Sequence, residues 1–214
     1  MADFETLKGM IIAGDGDGAK AQTEALIAEG KPPRDILDSA LLPGMEVVGA
    51  RMKSGECFIP EVLLSARTMQ ASLDMIKPLM TEGAGEALPT VVIGTVEGDM
   101  HDIGKNLVAM LLEGAGFNVV NLGKGITPAE FVKAVEESKP KILGMSGLLT
   151  TTIPKMGVTI NALKDAGLRD GVKVICGGAP VSDAYCDEIG ADAYGPNAAI
   201  GVDKCKELVG GQVG

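Results

Sequence analysis

Thr90-Val91-Val92-Ile93-Gly94-Thr95-Val96-Glu97-Gly98-Asp99-Met100-His101-Asp102-Ile103-Gly104-Lys105-Asn106 is the stretch on which the reading of this chain turns. Its first seven residues form a short β-branched run of the kind that makes a buried parallel strand, and helical spacing sets in from about residue 104. Between them runs an acidic, glycine-containing loop that holds the only histidine of the chain. The same alternation recurs downstream. Strands are predicted at Asn118–Leu122, Lys141–Met145, Val172–Cys176 and Ala191–Tyr194, and helices over 104–115, 127–138, 152–167, 181–189 and 197–208. Five βα units in succession predict an α/β unit over residues 90–214, a doubly wound five-stranded parallel sheet of the Rossmann or flavodoxin type. Such sheets hold ligands outside the carboxyl ends of their strands, where the strand order reverses, so the loops after strands one, three, four and five are the ones to inspect.

Upstream the texture differs. Residues 1–82 show helical periodicity: Phe4, Leu7, Ile11 and Ile12, then Ala21, Ala25, Leu26 and Ala28. Pro32-Pro33 opens a third segment through Ile36, Leu37, Leu41 and Leu42, bent at Pro43-Gly44 and continued by Met45, Val48 and Met52 to Gly55. A fourth runs from Val62 to about Met80. The expectation is an N-terminal four-helix bundle, joined through an aperiodic linker at 83–89 to the α/β unit.

Composition excludes several classes of function. Of the 214 residues, 19 are Lys or Arg and 29 are Asp or Glu, a formal charge of −10. Residues 1–82 hold 8 basic and 13 acidic side chains and the remainder 11 and 16, so neither part offers a basic face for nucleic acid or an anionic membrane. A single histidine rules out a multi-histidine metal centre, and Cys57, Cys176, Cys186 and Cys205 have no metal-ligand spacing; they read as buried thiols in a reducing compartment. Asp3, Glu5 and Lys8 in the first turns are not those of a signal peptide, and no apolar run reaches the roughly 20 residues a bilayer requires. The expected location is the cytoplasm. Gly14-Asp15-Gly16-Asp17-Gly18 suggests a calcium loop, but Lys20 and Leu26 fall where such a loop needs glycine and glutamate, so a turn with an Asp cap is the simpler reading. Met45, Met52 and Met69 lie on apolar helix faces and read as core.

The loops at the sheet edge carry the candidates. An imidazole that binds a metal through one nitrogen normally donates its other N–H to a carboxylate, and Asp99 is spaced to serve His101 in that way. Asp102 and Ile103 flank it, and Gly104 would let a bulky ligand approach the backbone. After strand three, Ser146-Gly147-Leu148-Leu149-Thr150-Thr151-Thr152 clusters hydroxyls beyond what one helix cap needs. Gly177-Gly178-Ala179-Pro180 and Tyr194-Gly195-Pro196-Asn197-Ala198 follow strands four and five and remove side chains from the same edge. Together they outline a deep glycine-lined groove. No dinucleotide fingerprint or P-loop is present.

Taken together, Asp99-x-His101-x-x-Gly104, Ser146-x-x-x-Thr150 and Gly177-Gly178 resemble the cobalamin-binding signature, and Gly55-Glu56-Cys57-Phe58-Ile59-Pro60-Glu61-Val62 is similar to the helical cap of cobalamin-dependent methionine synthase. The likeness extends from about residue 5 to 208 and resembles most the small corrinoid proteins of methanogenic and acetogenic methyltransferase systems, without a substrate-binding barrel.

This resemblance implies a cobalamin or related corrinoid whose lower base is displaced from cobalt, with His101 as the replacement axial ligand and Asp99 and Thr152 completing a relay behind it. It also implies that Ser146, Leu148 and Thr150 contact the displaced tail. Gly104, Gly177, Gly178, Ala179, Tyr194, Gly195, Asn197 and Ala198 would line its tunnel, and Met52, Ile59 and Val62 would shield the upper face. The implied function is a methyl carrier without turnover of its own, serving a substrate-specific methyltransferase and a second methyltransferase that acts on a folate or thiol carrier, with a reductive activase as a third partner. A cobalamin-responsive regulator is the alternative within the same layout. Regulators of that kind usually carry a DNA-binding domain, and this chain has no basic module and no Trp.

Overall fold

The computed structural model describes residues 2–80 and 88–210. Among the described residues two compact units emerge: residues 2–80 together with Glu113–Gly116, and Leu88–Leu112 with residues 117–210. The segment expected to be a linker lies, up to residue 87, outside the described residues.

The first unit is helical. Its elements are α1 (Phe4–Ala13), α2 (Gly16–Ala28), α3 (Pro33–Ile36), α4 (Leu42–Ser54) and α5 (Ile59–Ile76). Asp15 caps α2 by accepting from the Gly18 amide at 3.0 Å, so the glycine–aspartate run is a turn between two helices, as its spacing predicts. Between α3 and α4 the helix widens into a π turn, Leu37–Leu41, where the Leu42 amide reaches back to the Leu37 carbonyl. Pro43 is the physical reason: it has no N–H for the carbonyl four residues earlier, and the widened turn accommodates that loss. What the sequence presents as a bend at Pro43-Gly44 is thus one continuous helical segment. At Gly44 a Cβ would stand 2.9 Å from the Cβ of Ile11, so α4 and α1 touch through this residue. Leu7, Ile11, Leu26, Ile36, Leu41, Met45, Val48, Met69, Leu73 and Ile76 fill the interior.

The second unit is the α/β sandwich that the strand–helix alternation predicts. Strands β1 (Thr90–Val96), β2 (Asn118–Ile126), β3 (Ile142–Ser146), β4 (Lys173–Gly177) and β5 (Ala193–Gly195) form one parallel sheet in the order β2-β1-β3-β4-β5. Helices α6 (Ile103–Gly114), α7 (Pro128–Ser138), α8 (Pro154–Asp165), α9 (Asp183–Ile189) and α10 (Ala198–Leu208) alternate with them. β2 runs four residues past its expected end because Gly123 and Gly125 take positive φ (91° and 70°) and continue the ladder through two register shifts instead of turning away. The chain leaves β1 toward one side of the sheet and returns on the other at β3, so the strand order reverses between β1 and β3. The loops after these two strands therefore flank the crevice where such sheets hold ligands.

Alternation along the strands divides the sheet. Val92, Val96, Leu143, Met145 and Val174 join Phe131, Val135, Met156, Ile160 and Leu163 in one core layer. On the opposite face the rows are Ile93–Gly144–Ile175–Ala193 and, one pleat nearer the carboxyl edge, Thr95–Ser146–Gly177–Gly195. Among the described residues no helix is long and apolar enough to cross a membrane.

Candidate functional site

The loop after β1 is folded around one carboxylate. Asp99 is fully buried and gathers donors on both oxygens: Oδ1 accepts from the His101 amide at 3.0 Å and faces His101 Nδ1 at 2.8 Å, while Oδ2 accepts from the amides of Leu148 (2.7 Å) and Leu149 (3.2 Å) and the Thr152 hydroxyl (2.9 Å). Burial opposes the charge, but the amides of His101 and Leu148, the His101 ring and the Thr152 hydroxyl outweigh it and hold this carboxyl well below the usual carboxylate range. An ionised carboxylate only accepts, so in the neutral ring Nδ1 carries the proton and Nε2 keeps its lone pair. The His101 side chain is 53% exposed. One carboxylate thus fixes the orientation and the tautomer of the imidazole and also pins the loop after β3 to the loop after β1. The Thr95 hydroxyl, donating to the His101 carbonyl at 2.9 Å, completes the bracing.

Apolar side chains stand in the open around this imidazole: Met100 is 61% exposed, Ile103 87%, Leu148 44% and Leu149 41%. A free surface gains nothing from such a ring, whereas a broad apolar ligand would cover it. Beside it a cavity of about 550 Å³ descends from the carboxyl edge along the sheet face toward Val91, Leu112 and Cys205. Its polar side chains include His101, Asp102, Lys105, Ser146 and Asn197. Gly177 and Gly178 keep one wall thin: a Cβ on Gly177 would lie 2.9 Å from the Gly195 carbonyl oxygen, and one on Gly178, whose φ is 128°, only 1.9 Å from that of Gly147. Gly104 differs, since a Cβ there meets nothing within 4 Å. Gly104→Val should therefore fold normally while weakening ligand uptake at this mouth by about tenfold or more, as titration of the purified variant would measure.

Most residues singled out in the sequence meet here. His101, Asp102, Ile103, Gly104, Ser146, Leu148, Gly177, Gly178, Ala179, Gly195, Asn197 and Ala198 line the cavity, with Asp99 and Thr152 directly behind. Three do not behave as expected. Tyr194 packs into the opposite core layer, because Gly195 faces the cavity and adjacent strand residues point to opposite sides. Thr150 is exposed in its turn and takes no part in the lining. Val62, expected at a shielding surface, is buried inside the helical unit, while Ile59 is 50% and its neighbour Phe58 70% exposed and Met52 is partly exposed.

Sequence reasoning missed Lys105, Gly144, Ile93 and Ile175, which also line the cavity. Lys105 is buried, and its ammonium donates at 2.6 Å to both Asn106 Oδ1 and Asn121 Oδ1; burial pulls its pKa down and Asp102 pushes it up. Gly144 did leave a signal, as an isolated glycine within a strand marks a close backbone approach.

The Asp99 network makes two measurable demands. Asp99→Asn would turn an amide nitrogen toward at least two N–H or O–H donors, whichever way it flipped, and should lower stability by about 2 kcal/mol in denaturant unfolding. A carboxyl ordinarily titrates at 3.8, and that of Asp99 titrates lower when folded. Its contribution is therefore complete above the ordinary value and is lost as pH falls through the lowered one. Between about pH 5 and pH 2 the wild type should lose more thermal stability than Asp99→Asn, with Asp192, also lowered, contributing equally to both.

A buried carboxylate orienting one half-exposed imidazole, an apolar surround and a long cavity under glycine walls define a protein that binds a large flat cofactor with a metal at its centre. The family profile described as B12 binding domain matches residues 89–202, and a second profile with the same description matches residues 3–77. Dimethylamine corrinoid protein 1 of Methanosarcina acetivorans is 41% identical over 207 residues, 96% of this chain and 97% of that one. Among solved structures, the methanol:cobalamin methyltransferase complex MtaBC of Methanosarcina barkeri superposes with a TM-score of 0.82 at 33% identity, covering 97% of this chain and 80% of that chain. A cobalamin-binding protein from Desulfitobacterium hafniense gives 0.78 at 35%, covering 98% and 100%. The chain belongs to the B12-binding corrinoid proteins of methyltransferase systems, and its cofactor is cobalamin or a related corrinoid.

Proposed function

We propose that this protein is a cytoplasmic methyl carrier, shuttling between a substrate-specific methyltransferase and a second methyltransferase that acts on a folate or thiol carrier, with a reductive activase restoring it after oxidation. His101 Nε2 is the proposed lower ligand to the cobalt. Relatives named for dimethylamine and trimethylamine, and a structural neighbour named for methanol, support a small methylated amine or alcohol as the methyl source, recognised by the partner enzyme.

The observation that carries this reading is the pairing of buried, ionised Asp99 with Nδ1 of the half-exposed His101. Bound at this edge, the corrinoid supplies a cobalt centre able to accept a methyl group and pass it on. The residues do the rest. Asp99 keeps the proton on Nδ1 and so keeps Nε2 a donor toward metal; Thr152 and the amides of Leu148 and Leu149 keep that carboxylate ionised. Met100, Ile103, Leu148 and Leu149 exclude water from the surface around the ring. The cavity accepts the tail, with Ser146 at its mouth and Gly177 and Gly178 giving it room. A proton added to the Asp99–His101 pair would weaken Nε2 as a donor toward metal.

The test is reconstitution. The protein is loaded with cobalamin, reduced, and given a methylated amine with its methyltransferase while the visible spectrum is followed. Methylation of the bound cofactor, followed by loss of that spectrum when a thiol or folate acceptor and its methyltransferase are added, is expected. A loaded protein that is never methylated would contradict the carrier role.

A further inference from the structure

The network behind His101 depends on where one short turn lies. Thr152 has a single hydroxyl proton and two acceptors within reach, Asp99 Oδ2 at 2.9 Å and the Leu149 carbonyl at 3.0 Å. A threonine bonding back to a carbonyl in the preceding turn is the ordinary local arrangement. Here that carbonyl already accepts the amides of Thr152 and Ile153, at 3.0 and 3.1 Å, which occupy its two lone pairs and leave the hydroxyl proton for Asp99. The same turn carries the Leu148 and Leu149 amides that complete the set on Oδ2. Its position therefore keeps three donors aimed at one carboxylate oxygen.

The turn runs straight into α8, which opens with Pro154 and has no side-chain cap at its start. A tyrosine from the next helix supplies the hold. The Tyr185 hydroxyl, on α9, donates at 2.7 Å to the carbonyl of Ile153, the neighbour of Thr152. Burial raises the pKa of this hydroxyl, so it keeps its proton, and a carbonyl can only accept. The side chains of Tyr185 and Ile153 both pack against the core layer that includes Met156 and Cys186, which gives the tether a fixed base. A second tie, Lys155 Nζ to Glu97 Oε2 at 2.7 Å, joins two partly exposed groups and is the weaker kind of link.

We infer that Tyr185 is a positioning residue for the axial ligand: through the Ile153 carbonyl it holds the 148–152 turn against Asp99, and so fixes the imidazole of His101. This rests on the proposed reading in which His101 binds the cobalt.

Tyr185→Phe tests it, because the change removes one oxygen and leaves the ring in the core. In the full-length apoprotein, amide hydrogen exchange at Leu148 and Leu149 is expected to quicken at least about threefold, while amides of the β1–β3–β4 ladder keep their wild-type rates. In the cobalamin-loaded cobalt(III) protein, the cyanide concentration that displaces the lower ligand, followed by absorbance, is expected to fall at least about threefold. That is less than the roughly 10- to 100-fold cost of losing a group in direct contact with the ligand. Ile160→Val, a core change further along α8, is the control: it lowers stability and should leave both readings at their wild-type values. Unchanged exchange at the two amides overturns the inference, as does an unchanged cyanide titration or an equal shift in Ile160→Val. A wild type that titrates with cyanide as His101→Ala does would instead overturn the ligand assignment itself, so the two failures are distinguishable.

Discussion

Replacing His101 with alanine should give a folded protein that still takes up corrinoid but has lost the axial imidazole, with methyl transfer falling by at least about a hundredfold. Loss of a group that merely orients a metal ligand costs 10- to 100-fold, and on the proposed reading the donor itself is removed. Folding should survive because the side chain is half exposed and Asp99 keeps four of its five donors, including the residue's own amide. Thermal unfolding within about 1 kcal/mol of wild type, together with an altered axial-ligand spectrum, is the expected pair of results. An unchanged spectrum would reject His101 as the ligand, whereas global unfolding would make the ring structural.

The second large effect belongs to Gly178. An alanine there would drive its Cβ to 1.9 Å from the Gly147 carbonyl oxygen, at a φ of 128° that side-chain-bearing residues rarely adopt. Backbone strain and overpacking each cost about 1–3 kcal/mol, so Gly178→Ala should destabilise the protein by about 3 kcal/mol or more in denaturant unfolding. Gly104→Ala is the matched control: the added methyl meets nothing within 4 Å and stability should change by less than about 0.5 kcal/mol. Equal stability of the two variants would show that the wall beside the cavity yields more readily than this geometry allows.

These two residues also show what the sequence made legible. The strand–helix alternation fixes a parallel α/β sheet, and every strand appears within a few residues of its expected place because β-branched runs bounded by glycine and proline have little alternative. His101 and Asp99 could be paired from their spacing, since the single residue between them leaves few other arrangements. The other half of the Asp99 network, the amides of Leu148 and Leu149, could not: a main-chain donor has no sequence signature, and 49 residues separate Leu148 from the carboxylate. The cavity wall was invisible for a related reason. Ile93, Leu112 and Ile175 look like any core residue until the two helices beside them leave space. Tyr194 was misread because a turn was assumed where β5 continues to Gly195, and a single residue of register moves a side chain to the other face.

The central claim is that His101 Nε2 binds the cobalt, and the chain offers a direct measurement of it. His101 is the only histidine, so growth on 15N-histidine labels one imidazole and nothing else of that kind in an untagged protein. Electron paramagnetic resonance of the corrinoid-loaded protein in its cobalt(II) state reads the nucleus of the axial donor through its superhyperfine splitting. The account predicts that the three-line pattern of 14N becomes the two-line pattern of 15N on labelling. A pattern that stays three-line would mean that some other nitrogen, such as that of the lower base, holds the metal, and would contradict it.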